Sequence, residues 1–253
     1  MKILLTNDDG YRANGINRTF EALLAAGHDV IIVAPELNSS GASQSIAVYS
    51  PMEIHQASDR VYYVTSTPAD SVRLGLQVVY GTVDNYPDLV ISGVNQGENV
   101  SEDVFYSGTV GAAKEGALHG VPGLAFSTPG DTFNHLDAAA QIVVDLVAQI
   151  EKHFSLLKTP FLWNINIPNR PYAEIGGFEA TELGKRGAHL AMEKQVTSRG
   201  NTIYWQGMTG ELQPEQLGTD VAVQIDGLNV SITPLGIFAT DYNQMPIIAA
   251  LAI

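Results

Sequence analysis

Met1-Lys2-Ile3-Leu4-Leu5-Thr6-Asn7-Asp8-Asp9-Gly10 opens the chain, and its reading decides the fold. Ile3 to Leu5 run straight into Asn7-Asp8-Asp9-Gly10, and a short apolar run bounded by turn residues reads as a buried strand. Two adjacent carboxylates at the exit of such a strand repel each other and resist burial. A divalent cation relieves both costs, and hard oxygen ligands suit Mg²⁺, Mn²⁺ or Ca²⁺. A solvated turn accounts for Asp-Asp-Gly equally well at this point.

Outward from this stretch, Ile16, Phe20, Leu23 and Leu24 fall on one helical stripe, with Gly27 where a C-terminal cap belongs. Val30 to Val33 form a second apolar strand, so the first 33 residues read as a βαβ unit with a right-handed crossover. The same alternation continues. A weaker strand at Val61–Val64 leads to a helix start with Thr67 as N-cap, Pro68 in the first turn and Asp70 beside it, its apolar face carried on by Val72, Leu76 and Val79. Leu89–Ile91 is a buried strand breaking into Ser92-Gly93-Val94-Asn95-Gln96-Gly97-Glu98-Asn99. A small-residue helix is expected over 110–120, a short strand over 124–126, an amphipathic helix over about 135–153 and a strand over 161–165. Beyond Pro168 short β-type runs such as Thr202–Trp205 and Val230–Thr233 alternate with Gly, Pro and polar residues. The fold expected is α/β, with a mostly parallel sheet in residues 1–168 and a smaller strand-rich part in 169–253. Its apolar end, residues 247–253, is expected to pack on the body or on a partner.

The 253 residues are 45% hydrophobic, enough for a sizeable core. A net charge of −14 argues against a nucleic-acid duplex as partner, because counterion release requires a basic surface. An anionic small substrate stays compatible if a metal and backbone N–H groups supply local positive potential. The absence of cysteine excludes disulfides, thiolate catalysis and zinc–thiolate sites. No signal-peptide core and no apolar stretch of membrane-spanning length is evident, so a cytoplasmic protein without a membrane partner is expected.

In an open parallel sheet, ligands bind at the carboxyl ends of the strands. Those exits carry Asn7-Asp8-Asp9, Asn38-Ser39-Ser40-Gly41, Ser92-Gly93-Val94-Asn95 and Ser127-Thr128, all rich in oxygen. Two carboxylates with hydroxyl and amide oxygens suit Mg²⁺ or Mn²⁺ with open water positions. Ser107-Gly108-Thr109 leads into a helix, whose N-terminal N–H groups favour an anion, although a simple N-cap explains the same residues. A metal beside a phosphate-sized anion seat points to phosphoryl chemistry. No G-x-G-x-x-G follows the first strand, and no P-loop occurs. A phospho-accepting receiver would need a partner Lys that is not evident, and the scattered histidines, among them His28, His119 and His153, read as structural or exposed.

The blocks Ile3–Gly10, Ala34–Ser43, Thr67–Asp70 and above all Asn95-Gln96-Gly97-Glu98-Asn99 with Asp103–Ala113 resemble the survival protein E (SurE) family of metal-dependent nucleoside-monophosphate phosphatases. Weaker echoes at Arg199–Thr202, Gly218–Asp220 and Val230–Leu235 extend the resemblance over nearly the whole chain. It implies a Rossmann-like three-layer domain with a strand-rich extension for homodimer or homotetramer formation. The implied reaction releases phosphate from nucleoside 5′- or 3′-monophosphates, with short polyphosphate as a side substrate. One divalent cation, Mg²⁺ or Mn²⁺, is implied on Asp8, Asp9, Ser40 and Asn95; Ser40 rather than Ser39 begins the Ser-Gly-Ala-Ser block that matches. Asp9 is then the candidate general base, and Asn99, Ser107 and the N–H groups of Gly41, Gly108 and Thr109 are expected on the phosphate. Glu36, Leu37 and Ser39 stand where the family usually has Asp, Arg and a basic residue, which removes positive charge from the mouth, and Asn229 departs from the usual pattern before the last strand. The competing expectation is a nucleotide-binding regulatory protein with little turnover.

Overall fold

A computed structural model describes residues 1–130, 134–187, 191–206, 210–213 and 217–251. The opening stretch forms β1 (Lys2–Thr6), in which Ile3, Leu4 and Leu5 have no exposed surface. It is followed by α1 (Asn14–Ala25), β2 (Asp29–Pro35), β3 (Ile54–Ser58), β4 (Val61–Val64), α2 (Pro68–Leu74), β5 (Leu89–Gln96), α3 (Gly108–Leu118) and β6 (Gly123–Thr128). The second half adds α4 (Leu136–His153), β7 (Leu162–Asn166), β8 (Phe178–Ala180), β9 (Glu193–Val196), β10 (Thr202–Trp205), α5 (Asp220–Asp226), β11 (Val230–Pro234) and α6 (Met245–Ala250).

The main sheet runs β3-β4-β2-β1-β5-β6-β7-β11-β8. From β4 to β7 every pairing is parallel. Counting only those strands in chain order gives 3-2-1-4-5-6, the order of a doubly wound Rossmann-type sheet. Its direction of winding reverses between β1 and β5, where Thr6 is in register with Ser92.

Alternation along each buried strand builds two helix layers. Ile3 and Leu5 face α1 and α4 with Ile16, Leu23, Val143 and Val147, while Leu4 and Val90 face the other layer with Val72, Leu76 and Ala112. The first layer depends on a missing side chain. A Cβ on Gly15 would lie 2.0 Å from the Val94 carbonyl oxygen, so only glycine lets α1 approach the end of β5.

Several elements differ from expectation. β3 pairs antiparallel with β4 at the sheet edge, and its mostly polar, exposed residues gave no hydrophobic signal. β5 does not break at Ser92 but continues to Gln96, with its register to β6 shifting between Ser92 and Asn95. α3 starts at Gly108, two residues before the expected position, because Ser107 caps it through a hydrogen bond accepted from Val110 N. Past Pro168 the chain contributes both to the body, through β8 and β11, and to a separate antiparallel ribbon, β9–β10. On α6 and just after it, Met245, Ile248 and Leu251 are exposed rather than packed on the body, and residues 252–253 of the apolar end lie outside the described residues. No helix among the described residues is long and apolar enough to cross a membrane.

Forcing a methyl group between α1 and β5 should be costly. Gly15→Ala is expected to lower unfolding stability by about 1–3 kcal/mol, read from denaturant midpoints. Gly177→Ala, where a Cβ meets nothing within 4 Å, serves as the matched control and stays within about 0.5 kcal/mol.

Candidate active site

The ends of β1 and β5 at the reversal of winding form the floor of a cleft of about 900 Å³. Asp8, Ser40, Gly41, Asn95, Asn99 and Ser107 line it. Four loops separated by up to about a hundred residues in sequence thus meet at one strand edge. No histidine lines the cleft among the described residues.

Asp8 is 3% exposed, and its Oδ1 accepts a 2.5 Å hydrogen bond from the Thr109 hydroxyl. The N–H groups of Gly108 and Thr109, expected to seat a phosphate, are directed at this carboxyl. Gly108 makes the approach possible, since a Cβ there would fall 2.8 Å from Asp8 Cβ. Burial raises the Asp8 pKa, against the lowering effect of Thr109 and the surrounding N–H groups. Asp9 does not line the cleft. Its carboxyl accepts hydrogen bonds from Asn38 Nδ2 at 3.2 Å and from Gln96 N at 3.4 Å. Burial, and then the charge of Asp8, push its pKa up to about 6.

Two neighbouring acids that both resist ionisation mark a place that lacks positive charge, and the other oxygens required by a hard cation stand nearby. Asn95 Nδ2 donates to the Gly97 carbonyl oxygen at 2.8 Å, so the amide oxygen is the side-chain atom that could face a cation. Ser40 is exposed at the rim, where its backbone N–H donates to Asn38 Oδ1. Among the described residues no group of three or more His, Cys, Asp or Glu forms a metal cluster. A donor set of two carboxylates, one hydroxyl and one amide fits Mg²⁺ or Mn²⁺ and does not fit a thiolate- or imidazole-seeking metal.

Sequence reading placed Ser127 at this edge but missed the β7 amides that, with it, hold Asn99. Its side-chain N–H donates to Ser127 Oγ at 2.8 Å, and its backbone N–H donates to Asn166 Oδ1 at 2.9 Å. Its carbonyl accepts from Asn164 Nδ2 at 2.7 Å and from Asn166 Nδ2 at 3.0 Å. Buried amides at the end of β7 thereby fix a loop residue far away in sequence.

A second wall was also unforeseen, formed by Arg186, Met192 and Gln206 from beyond residue 168. The Arg186 guanidinium, 8% exposed, donates from Nε and Nη2 to Asp103 at 2.9 and 2.6 Å, from Nη2 to Glu98 at 3.4 Å, and from Nη1 to the Gly210 carbonyl oxygen at 3.2 Å. Burial opposes its charge, but Asp103 and Glu98 outweigh that and raise its pKa. Asp220 fastens the same wall, accepting from Gly184 N at 2.7 Å and from Ser101 N at 3.0 Å.

Compared with known proteins, residues 3–189 match the family profile described as “Survival protein SurE”. The chain belongs to the SurE family. Among curated SurE relatives, proteins named 5′-nucleotidase SurE from Nitrosomonas europaea and Methylobacillus flagellatus are 44% and 43% identical to it. The first alignment covers 97% of this chain and 96% of the relative, and the second covers 96% of each. The crystal structure of a SurE protein from Aquifex aeolicus superposes with a TM-score of 0.85 at 37% identity, covering 100% of both chains. The α/β architecture with its mostly parallel sheet is therefore that of a SurE protein.

The Asp9 shift has a sign that can be checked in the metal-free protein. With a folded pKa of about 6 against 3.8 in the unfolded chain, the folded state binds the extra proton between those values. Its contribution to stability is fully present below pH 3.8 and is lost as pH rises through about 6. With chelator present, shifting from pH 7 to pH 5 should therefore stabilise the parent protein more than Asp9→Asn, read as unfolding midpoints. Equal pH responses in the two proteins would contradict the assignment.

Proposed function

We propose that the chain is a divalent-metal-dependent phosphomonoesterase that converts nucleoside 5′-monophosphates, and 3′-monophosphates as second substrates, to nucleoside and phosphate, with short polyphosphate as a side substrate. The observation that carries this reading is the meeting of Asp8, Ser40, Asn95, Asn99 and Ser107 in one cleft at the reversal of the sheet. The name 5′-nucleotidase SurE carried by relatives above 40% identity supports it.

Asp8, Asp9, Ser40 and Asn95 would hold one Mg²⁺ or Mn²⁺, which when bound supplies Lewis-acid polarisation of a phosphoryl oxygen and activates water. The protein supplies the positioning. Asp8 is a fixed ligand, since the start of α3 grips it through Thr109 and two N–H groups. Asn99 spends one side-chain N–H on Ser127 and has a second for a phosphoryl oxygen. Ser107 Oγ accepts from Val110 N, so its own proton is available to donate to the same group. The Gly41 N–H completes this set, while Gly108 and Thr109 act on the reaction through Asp8. Asp9, beside Gln96 at the cleft edge, accepts the proton of the attacking water.

The exposed apolar residues Val196, Ile203, Tyr204 and Trp205 on the β9–β10 ribbon, with Met245, Ile248 and Leu251 near the chain end, support a homodimer or homotetramer built through residues 169–253. We place the protein in the cytoplasm, in keeping with its lack of a membrane-spanning helix among the described residues.

Purified protein should release phosphate from AMP or GMP with Mn²⁺ or Mg²⁺ and lose the activity to chelator. Asp8→Asn is expected to abolish turnover with the fold retained by circular dichroism, and Asn99→Ala to lower kcat by roughly a hundred-fold. Saturable, metal-dependent AMP binding without phosphate release would favour a regulatory nucleotide binder instead.

A further inference from the structure

Glu98 stands between the proposed cation ligand Asn95 and the proposed phosphate ligand Asn99, and it lines the cleft. Its side chain is 27% exposed, and among the described residues its carboxyl accepts one side-chain hydrogen bond, the 3.4 Å contact from Arg186 Nη2 to Oε1. Arg186 is the one cationic side chain lining the cleft among the described residues, so it is the first candidate for a substrate phosphate. Its donors argue otherwise. Of the five N–H groups of a guanidinium, four are engaged by Asp103, Glu98 and the Gly210 carbonyl, which leaves at most one. Two carboxylates around one guanidinium also leave this wall with a net negative charge. Such a wall repels phosphate and attracts hydroxyl donors.

The nucleoside is the part of the substrate that carries hydroxyls, and the same wall offers it an apolar face. Tyr106, next to Ser107, is 62% exposed, and Met192 is 59% exposed; both line the cleft. With phosphate held at Asn99 and Ser107, the ribose hydroxyls lie one sugar ring further along. That is within reach of the adjacent residue, because consecutive Cα atoms are ~3.8 Å apart and a glutamate side chain extends beyond that. A carboxylate accepts from two vicinal hydroxyls at once, as acidic residues do on ribose in other Rossmann-type sites.

Building on the nucleotidase reading, we propose that Glu98, held in place by Arg186, accepts hydrogen bonds from the ribose 2′- and 3′-hydroxyls of a bound 5′-monophosphate and makes the site selective for 5′-ribonucleotides over 5′-deoxyribonucleotides. Glu98 is the specificity-determining group, and Arg186 is a positioning residue that orients it.

The test compares AMP with 2′-deoxy-AMP in the parent protein, Glu98→Ala, Glu98→Gln and Arg186→Lys. Calorimetric affinity and kcat/KM are both measured with Mn²⁺, and thermal unfolding confirms that each variant is folded. The parent is expected to favour AMP by about ten-fold or more, the size of a hydrogen bond to a charged acceptor. Glu98→Ala should bring the ratio near one through loss on the AMP side. Glu98→Gln keeps one acceptor and should fall between, as should Arg186→Lys. A parent ratio near one, or a ratio unchanged in folded Glu98→Ala, overturns the ribose assignment whether or not turnover is seen. A ratio that collapses in binding while phosphate release is absent supports the ribose contact and overturns only the hydrolase reading. Failure of AMP to bind overturns both.

Discussion

The contact between the Asp8 carboxyl and the first turn of α3 is the constraint on which the site depends. A nearly buried carboxylate at a strand exit is unfavourable unless hydrogen bonds and a positive potential receive it. The helix end supplies both, through the Thr109 hydroxyl and the N–H groups of Gly108 and Thr109. The glycine that allows the approach also fixes how near α3 lies to β1. Strand, helix and acid are therefore one unit, and Ser107, which caps that helix, is carried to the cleft with them.

Much of this was legible in the sequence where the signal was local. The apolar runs of β1, β2 and β5 and the oxygen-rich residues after them identify the parallel sheet and its working edge, because burial and turn chemistry leave marks within a few residues. β3 left no such mark, being an edge strand whose polar side chains face water. The clamp on Asn99 was hidden for another reason: Asn164 and Asn166 lie on a buried strand, and only pairing with a loop 65–67 residues away gives them a role. Arg186 meets partners 83–88 positions earlier, which no spacing rule reveals. The helix start at Ser107 was readable as an anion seat, but which anion it receives depends on the Gly108–Asp8 approach in three dimensions.

The segment after residue 168 belongs to the site as well as to the sheet. Asp220 joins Gly184 to Ser101, and Arg186 joins the same strip of chain to Asp103, so the loop leading into α3 is tied from outside the parallel sheet. One wall of the cleft is thus contributed by the last third of the chain, tied to the first two by Asp220 and Arg186.

Exposure separates the cleft into a floor and a rim with different freedom to vary. Asp8, Asn95, Asn99 and Ser107 are between 3% and 9% exposed and are held by hydrogen bonds from several elements, so a replacement there disturbs more than one neighbour. Leu37 is 73% exposed and Glu98 27%, and they stand on loops beyond the ends of β2 and β5. Residues of that kind can change charge or size without moving the floor. The architecture separates the evolution of what is bound from the evolution of what is done to it, and the exposed mouth is where such divergence is least restrained.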